Sequence, residues 1–405
     1  MAIIAEGLRL IVAGGGIGGL AAALAAAARG HRVTVLERQD RFEELGAGIQ
    51  LAPNAFRALE RLGVATAVRE RAVYVSELRF MDGTSGRRVA RMPLTGSYRR
   101  RFRNPYAVVH RGDLLEPLLA ACRAAPGIEL HAGQEVAAYE QSPDRVTAVT
   151  ATGRRVGGDV LLGADGIRSA VRRRLIGDGE PRVSGHTVYR SVVPMAGVPP
   201  PLRSQSVTLW AGPDWHVVHY PIAGGTLLNL AATRADGART AVTGAPAARA
   251  HVQRQFPGAH RGVRQLLLLG NRWRSWTSCD RDPVARWTDG RVALLGDAAH
   301  PMLQYAAQGA CQALEDAVAL GEELHDCRPA EAPGRLAAYN ERRHERAASA
   351  QRVARALAER LYHPAGAAAA ARNALLSSLT REELYDKVAW LHGPGDAVIP
   401  KGASR

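Results

Sequence analysis

"LRLIVAGGGIGGLAAALAAAARGHRVTVLE", residues 8–37, reads as strand, turn, helix, strand. The first six residues are an apolar run of strand length. They end in Gly14-x-Gly16-x-x-Gly19, which opens an Ala-rich stretch that closes at Gly30. A second strand pattern, "RVTVLE", ends on Glu37. Glycines at this spacing let the backbone approach a pyrophosphate, while the following helix offers it unpaired N–H groups and a partial positive charge. Glu37 falls about 20 residues past the glycines, where a carboxylate accepts from a ribose hydroxyl. Arg38 beside it is a further candidate for cofactor binding. Taken alone, the apolar stretch resembles a signal peptide or membrane span. The clustered glycines weaken a spanning helix, no basic segment precedes it, and Arg29 and His31 close it. The motif specifies a dinucleotide without saying which one.

The same design recurs twice. "DVLLGADGIRSAVRR" (159–173) runs an apolar strand into Asp165-Gly166, with a helix starting near Ser169. "RVALLGDAAHP" (291–301) runs another into Gly296-Asp297. In "LLGDAAHPMLQYAAQGACQALEDAVAL" (294–320), the acid at a strand tip is followed by Gly309-Ala310, where a second helix N-terminus opens. A simple nicotinamide site does not need three strand tips; a flavin with an extended ribityl chain does.

The 405 residues suggest two or three domains. Apolar residues make up 46% and charged residues 22%, the balance of a chain that buries a large core. A net charge of +15 rests almost wholly on arginine. The arginines are dispersed without interleaved aromatics, so runs such as Arg172-Arg173-Arg174 read as solvated surface, and no nucleic-acid partner is expected. The positive field suits anionic cofactors and acidic substrates. Four scattered cysteines match neither a disulfide framework nor a metal site, which points to a reduced, cytoplasmic protein with no transmembrane segment.

Residues 181 to about 240 alternate or run apolar, in "HTVYRSVVPM", "SVTLWAG" and "WHVVHYPI", with "GPD" as a hairpin turn. They indicate an antiparallel sheet. On one strand of it, His216, Val218 and Tyr220 share a face, while Val217 and His219 point the other way.

With "HRGDLLEPLLAAC" added, the three motifs resemble the single-component FAD-dependent aromatic hydroxylases over residues 8–345. The likeness is greatest to the 3-hydroxybenzoate 6-hydroxylase and salicylate hydroxylase branch. The resemblance implies an α/β fold. A Rossmann-like FAD-binding domain (1–75, 100–180, 271–345) with a parallel sheet would carry a mainly antiparallel substrate domain (76–99, 181–270) and C-terminal helices (346–405). It implies cofactor contacts from Gly14, Gly16, Gly19, Arg111, Asp165, Asp297, Gly309 and Ala310. A pocket lined by His216, Tyr220 and Gln304 would have His216 accept the substrate's phenol proton. Asp113 and Glu116 read as a capping box, and His300 as a brace for its turn.

The implied reaction is hydroxylation of a phenolic aromatic acid such as 3-hydroxybenzoate through a flavin C4a-hydroperoxide. FAD would be the cofactor, with NADH or NADPH and O2 as co-substrates. Decarboxylating hydroxylation of salicylate, hydroxylation of a larger phenolic, and a non-catalytic flavin-binding protein are the alternatives. A homodimer is left open. The basic segment 332–361 reads as a packed surface helix.

Overall fold

The structure is a computed structural model, and it describes residues 7–43 and 47–394. The Arg9–Ala13 strand is buried at every position but the first, and it lies centrally in a six-stranded sheet. On one side it pairs in parallel with Arg32–Leu36, and on the other with Val160–Gly163, which pairs in turn with Val292–Leu294. These strands are continuous apolar runs because both faces of a parallel sheet are covered. The Ile17–Ala27 helix covers one face and packs on Gly309–Glu323.

The register fixes the consequence for function. Ala13 lies opposite Gly163, and Gly163 opposite Leu294. The three motifs therefore leave the sheet side by side, at its carboxyl edge.

A second sheet of eight strands is antiparallel except where Ser206–Gly212 runs parallel to Glu77–Asp82. Its long strands are Arg182–Pro194, Trp215–Ile222 and Leu227–Ala238. The "GPD" turn is a two-residue hairpin in which Asp214 takes φ +55°. Arg274–Asp280 is hydrogen-bonded into this sheet, so the sheet extends past residue 270. One face packs on the Arg249–Arg254 and Arg261–Leu269 helices through Trp210, Trp215, Val217 and Leu230. The opposite face looks towards the nucleotide fold, where Tyr220 and Ile222 join the main core.

Three local expectations are corrected. The Arg111–Ala124 helix begins at Arg111, with His110 as its cap: Nδ1 accepts from Gly112 N at 3.2 Å. An extended His110 feeds the preceding strand directly into the helix. Asp113 thus falls in the first turn, where its charge complements the dipole, and not at the cap. Arg172 is fully buried instead of solvated. Its NH1 donates to the carbonyls of Ala298 (2.9 Å) and Ala299 (2.6 Å), while NH2 reaches Asp178 at 2.6 Å. This clamp ties the Asp-Gly loop to the Gly-Asp turn, and an unpaired guanidinium could not be buried there.

Thirdly, the Ala332–Leu357 helix buries Arg343 and Arg346. Both bind Glu315, and Arg343 also donates to Asp316 at 2.8 Å. Among the described residues no helix is long and apolar enough to cross a membrane. Residues 395–405, the end of the segment expected to form C-terminal helices, lie outside those described.

Candidate active site

The first half of the site is the edge of the parallel sheet. Gly14 has φ +106°, and a Cβ there would stand 2.4 Å from the Ala164 carbonyl oxygen. A Cβ on Gly19 would stand 1.9 Å from the Gly14 carbonyl oxygen. Only glycine fits either place. Gly16 caps the following helix without a side-chain bond, so its first N–H groups stay open. Glu37 accepts from Gly15 N at 2.6 Å and from Gln39 N at 2.9 Å, and so holds a carboxylate beside the turn. Arg38 is exposed.

Asp297 is the exposed residue in a turn whose neighbours are all buried, and its carboxylate has no partner among the described residues. A Cβ built on Gly309 would lie 3.9 Å from Asp297 Oδ1. The strand-tip acid and the N-terminus of the Gly309–Glu323 helix thus meet, and that N-terminus has no side-chain cap. Beneath them His300 does brace the turn, with Nε2 2.5 Å from Asp316 Oδ2; that oxygen also accepts from Gly296 N at 3.0 Å. The charges of His300 and Arg343 hold the Asp316 carboxyl well below its usual range, against the opposing effect of burial.

Asp165 reaches the same edge, but its carboxylate is engaged. It accepts from Ser169 Oγ and from Ala170 N (2.8 Å), capping the helix behind it. Burial raises its pKa. Its contribution here is to shape the loop. Arg111 opens the Arg111–Ala124 helix, and its charge acts on Arg190 in the second half of the site.

That second half is the inward face of the large sheet. His216 and Thr233 are cross-strand partners, as are Tyr220 and Asn229. Gln304, in the loop after the Gly-Asp turn, donates to Thr233 Oγ1 at 3.1 Å and accepts from Arg190 NH2 at 2.9 Å. Arg190, Gln304 and Thr233 thus form one hydrogen-bonded chain, and Thr233 is the cross-strand neighbour of His216. His216 is 1% exposed; Nδ1 lies 2.9 Å from His363 Nε2, while Nε2 has no partner among the described residues. Burial first, then His363 and His186, push the His216 pKa well below its ordinary value, so the ring is neutral. Tyr220 is buried, which raises its pKa and keeps it a neutral phenol.

Arg190 was not a residue the motifs singled out. Its guanidinium lies over the Trp276 ring at 5.7 Å, its Nε is buried without a partner, and no carboxylate faces it. Burial lowers its pKa; the nearby Tyr220 phenol opposes that and the Arg111 charge adds to it. A half-buried cation among neutral and like-charged groups, with its Nε shut off from water, is costly until an anion arrives. Its signal in the sequence, an arginine alternating with apolar residues in "HTVYRSVV", becomes legible only with the sheet in place.

A glycine cradle, an unspent ribityl-side acid and an open helix N-terminus fit FAD, and a roof of histidine, glutamine and arginine fits a small acid above it. These features define a flavoprotein. The chain belongs to the FAD binding domain family, whose model matches residues 8–354. It is 46% identical to 3-hydroxybenzoate 6-hydroxylase 1 of Aquipseudomonas alcaligenes over 95% of this chain and 97% of that one. It is 41% identical to 3-hydroxybenzoate 6-hydroxylase of Klebsiella oxytoca, covering 96% and 98%. Among solved structures, a salicylate hydroxylase substrate complex matches with a TM-score of 0.81 at 26% identity, covering 96% of this chain and 95% of that one.

Proposed function

We propose that the protein is an FAD-dependent, NAD(P)H-consuming monooxygenase that hydroxylates 3-hydroxybenzoate at C6, para to its hydroxyl, giving 2,5-dihydroxybenzoate. The observation that carries the reading is Arg190, a cation without a counter-charge, hydrogen-bonded to Gln304, which in turn bonds Thr233, the cross-strand neighbour of His216. The relatives named 3-hydroxybenzoate 6-hydroxylase support the choice of acid.

FAD, when bound, takes a hydride equivalent from NAD(P)H and activates dioxygen for transfer to an electron-rich ring. Gly14, Gly16 and Gly19 receive its pyrophosphate, Glu37 its adenosine ribose and Asp297 its ribityl hydroxyls. The N–H groups at Gly309 and Ala310 would stabilise the negative charge that collects on its ring system. The protein's own chemistry concerns the substrate. Arg190 binds the carboxylate, which supplies the counter-charge it otherwise lacks. His216 accepts the phenol proton at Nε2, because a phenolate is a far stronger nucleophile towards oxygen than a phenol. Gln304, held by Arg190 and Thr233, keeps its amide in place to orient the phenol oxygen, and Tyr220 closes the wall.

The test is a panel of hydroxybenzoates screened for accelerated NADH and NADPH oxidation by the FAD-loaded protein, with products identified by mass and ring position. 2,5-Dihydroxybenzoate from 3-hydroxybenzoate is the expected product. Catechol and carbon dioxide from salicylate, with no turnover of 3-hydroxybenzoate, would overturn the reading in favour of decarboxylating hydroxylation.

A further inference from the structure

The long C-terminal helix does not end as its sequence suggests. After Leu357 the backbone widens into one π turn, Ala358–Tyr362, and His363 follows it with its N–H donating to the Ala358 carbonyl at 3.1 Å. Single π turns inside helices are uncommon and cluster at functional sites. This one sets the His363 ring against His216, with centroids 5.1 Å apart and Nε2 2.9 Å from His216 Nδ1. The His363 carbonyl accepts from Asp214 N at 3.3 Å, at the tip of the hairpin that carries His216. The C-terminal segment is thus fastened to the strand bearing the candidate base.

We propose that His363 is the second station of a proton relay, taking from His216 the proton that His216 removes from the substrate phenol and passing it outward. This rests on the reading of His216 given above. The phenol O–H breaks and an N–H forms at His216 Nε2. The Nδ1–H of His216 then passes to His363 Nε2, and the Nδ1–H of His363 leaves to water. No electrons are exchanged, and the reverse sequence returns the proton.

The surroundings give the relay its direction. His216 is 1% exposed and cannot discharge to solvent by itself, whereas His363 is 8% exposed and nearer the surface. Burial, then His186 and Arg234, lowers the His363 pKa to about 3, so neither ring retains the proton. His186 stands edge-on to His363 at 4.8 Å, with its Nδ1 2.8 Å from the Tyr305 hydroxyl. Tyr305 and Tyr362 enclose the His216 ring at 5.5 and 4.7 Å, and burial raises both phenols too far for them to compete as acids. The charged groups that act on this cluster are Arg234 on His363, and Asp236, Arg182, Asp280 and Glu359 on His186. His363 is a positioning residue, since it touches the base and not the substrate.

The experiment mixes oxidised, FAD-loaded enzyme with 3-hydroxybenzoate in a stopped-flow spectrophotometer and follows phenolate absorbance across pH. His363→Phe and His363→Gln are compared with His216→Ala and with the His216→Ala/His363→Phe double variant. Glutamine accepts a hydrogen bond from Nδ1–H but cannot take its proton. Phenolate formation should slow at least tenfold in both His363 variants, with the ionisation midpoint raised, and the His363→Phe effect should vanish in the His216→Ala background. Bound FAD reports folding; should the phenylalanine variant not fold, the glutamine variant carries the test. Full rescue by glutamine, or an unchanged rate in His363→Phe beside a slow His216→Ala, overturns the relay and leaves His216 as the base. A His216→Ala enzyme that ionises its substrate normally overturns the underlying site reading instead.

Discussion

The Trp215–Ile222 strand carries two buried histidines on opposite faces of one sheet, and their surroundings differ in kind. His219 looks into the layer between sheet and helices, where its Nε2 accepts from the Trp210 indole N–H at 3.1 Å among tryptophans and aliphatics. His216 looks the other way, into a face that also holds Thr233, Gln304, Arg190 and Tyr220. Both rings are held neutral by burial, with His219 pushed down to about 3. A perturbed histidine therefore identifies nothing here by itself. The difference lies in the neighbours: His219 has spent its Nε2 on an indole N–H, while His216 keeps an open nitrogen on a face that also holds a cation without an anion. An open nitrogen near an unmatched cation, and not a lowered histidine pKa, is what singles out the inner face for the proposed chemistry.

The contrast breaks most sharply under substitution of the two histidines. His216→Ala is expected to lower the rate of hydroxylation by about 10²–10⁴-fold, the usual worth of a positioned acid or base, and to divert NADH oxidation into hydrogen peroxide. His219→Ala should leave the ratio of product formed to NADH consumed unchanged. Product and peroxide quantified together decide it, and equal uncoupling in both variants would dissolve the distinction.

Next in size is Arg190→Met. Losing a charge-assisted bond of about 1.5–3 kcal/mol should raise KM for 3-hydroxybenzoate by roughly 10–150-fold. Affinity for the neutral 3-hydroxybenzyl alcohol should change little. Parallel steady-state titrations of the two ligands measure this, and equal losses for both would remove the carboxylate from Arg190.

Acid should then loosen both faces together. His219, His363 and His392 are held near 3 in the fold, below the ordinary histidine value of 6.5. The unfolded chain binds their protons first, so their stabilisation is full above about pH 6.5 and falls as pH drops towards 3. Each contributes a loss of up to about 1.5 kcal/mol between pH 6.5 and 5. Glu315, held at about 2 chiefly by the Arg343 and Arg346 charges against burial, adds its own loss only below about pH 4.5. Urea unfolding at several pH values reads the slope, and a flat profile between 7 and 5 would count against neutral buried rings. The smallest effect sharpens the same point. His219→Gln keeps an acceptor for Trp210 and removes one titrating ring, so it should reduce that slope by one proton without altering KM.

Legibility followed the range of the interaction. Gly14, Gly16, Gly19 and Asp297 were readable because each acts through its own turn, and adjacent strand tips follow from parallel pairing. Gln304 and His216 were reached through resemblance and the two-residue period of a strand. The capping box at Asp113 was misplaced because the strand runs straight into the helix, and nothing local marks the true cap at His110. Arg172 was read as surface, and Arg343 and Arg346 were not singled out within their packed helix, because a sequence shows an arginine's charge but not its partner. Asp178, Glu315 and Asp316 become partners only in three dimensions.

By itself, the sequence determined the nucleotide half: glycine spacing, strand polarity and an acid at each tip are local properties with local physical causes. The tertiary structure alone decided which polar groups are left unsatisfied, because that depends on what each is packed against. It set Arg190 beside Gln304 from 114 residues away and His363 beside His216 from 147. Burial converts such meetings into chemistry, by making an unmatched charge or an open nitrogen too costly to stand without a ligand.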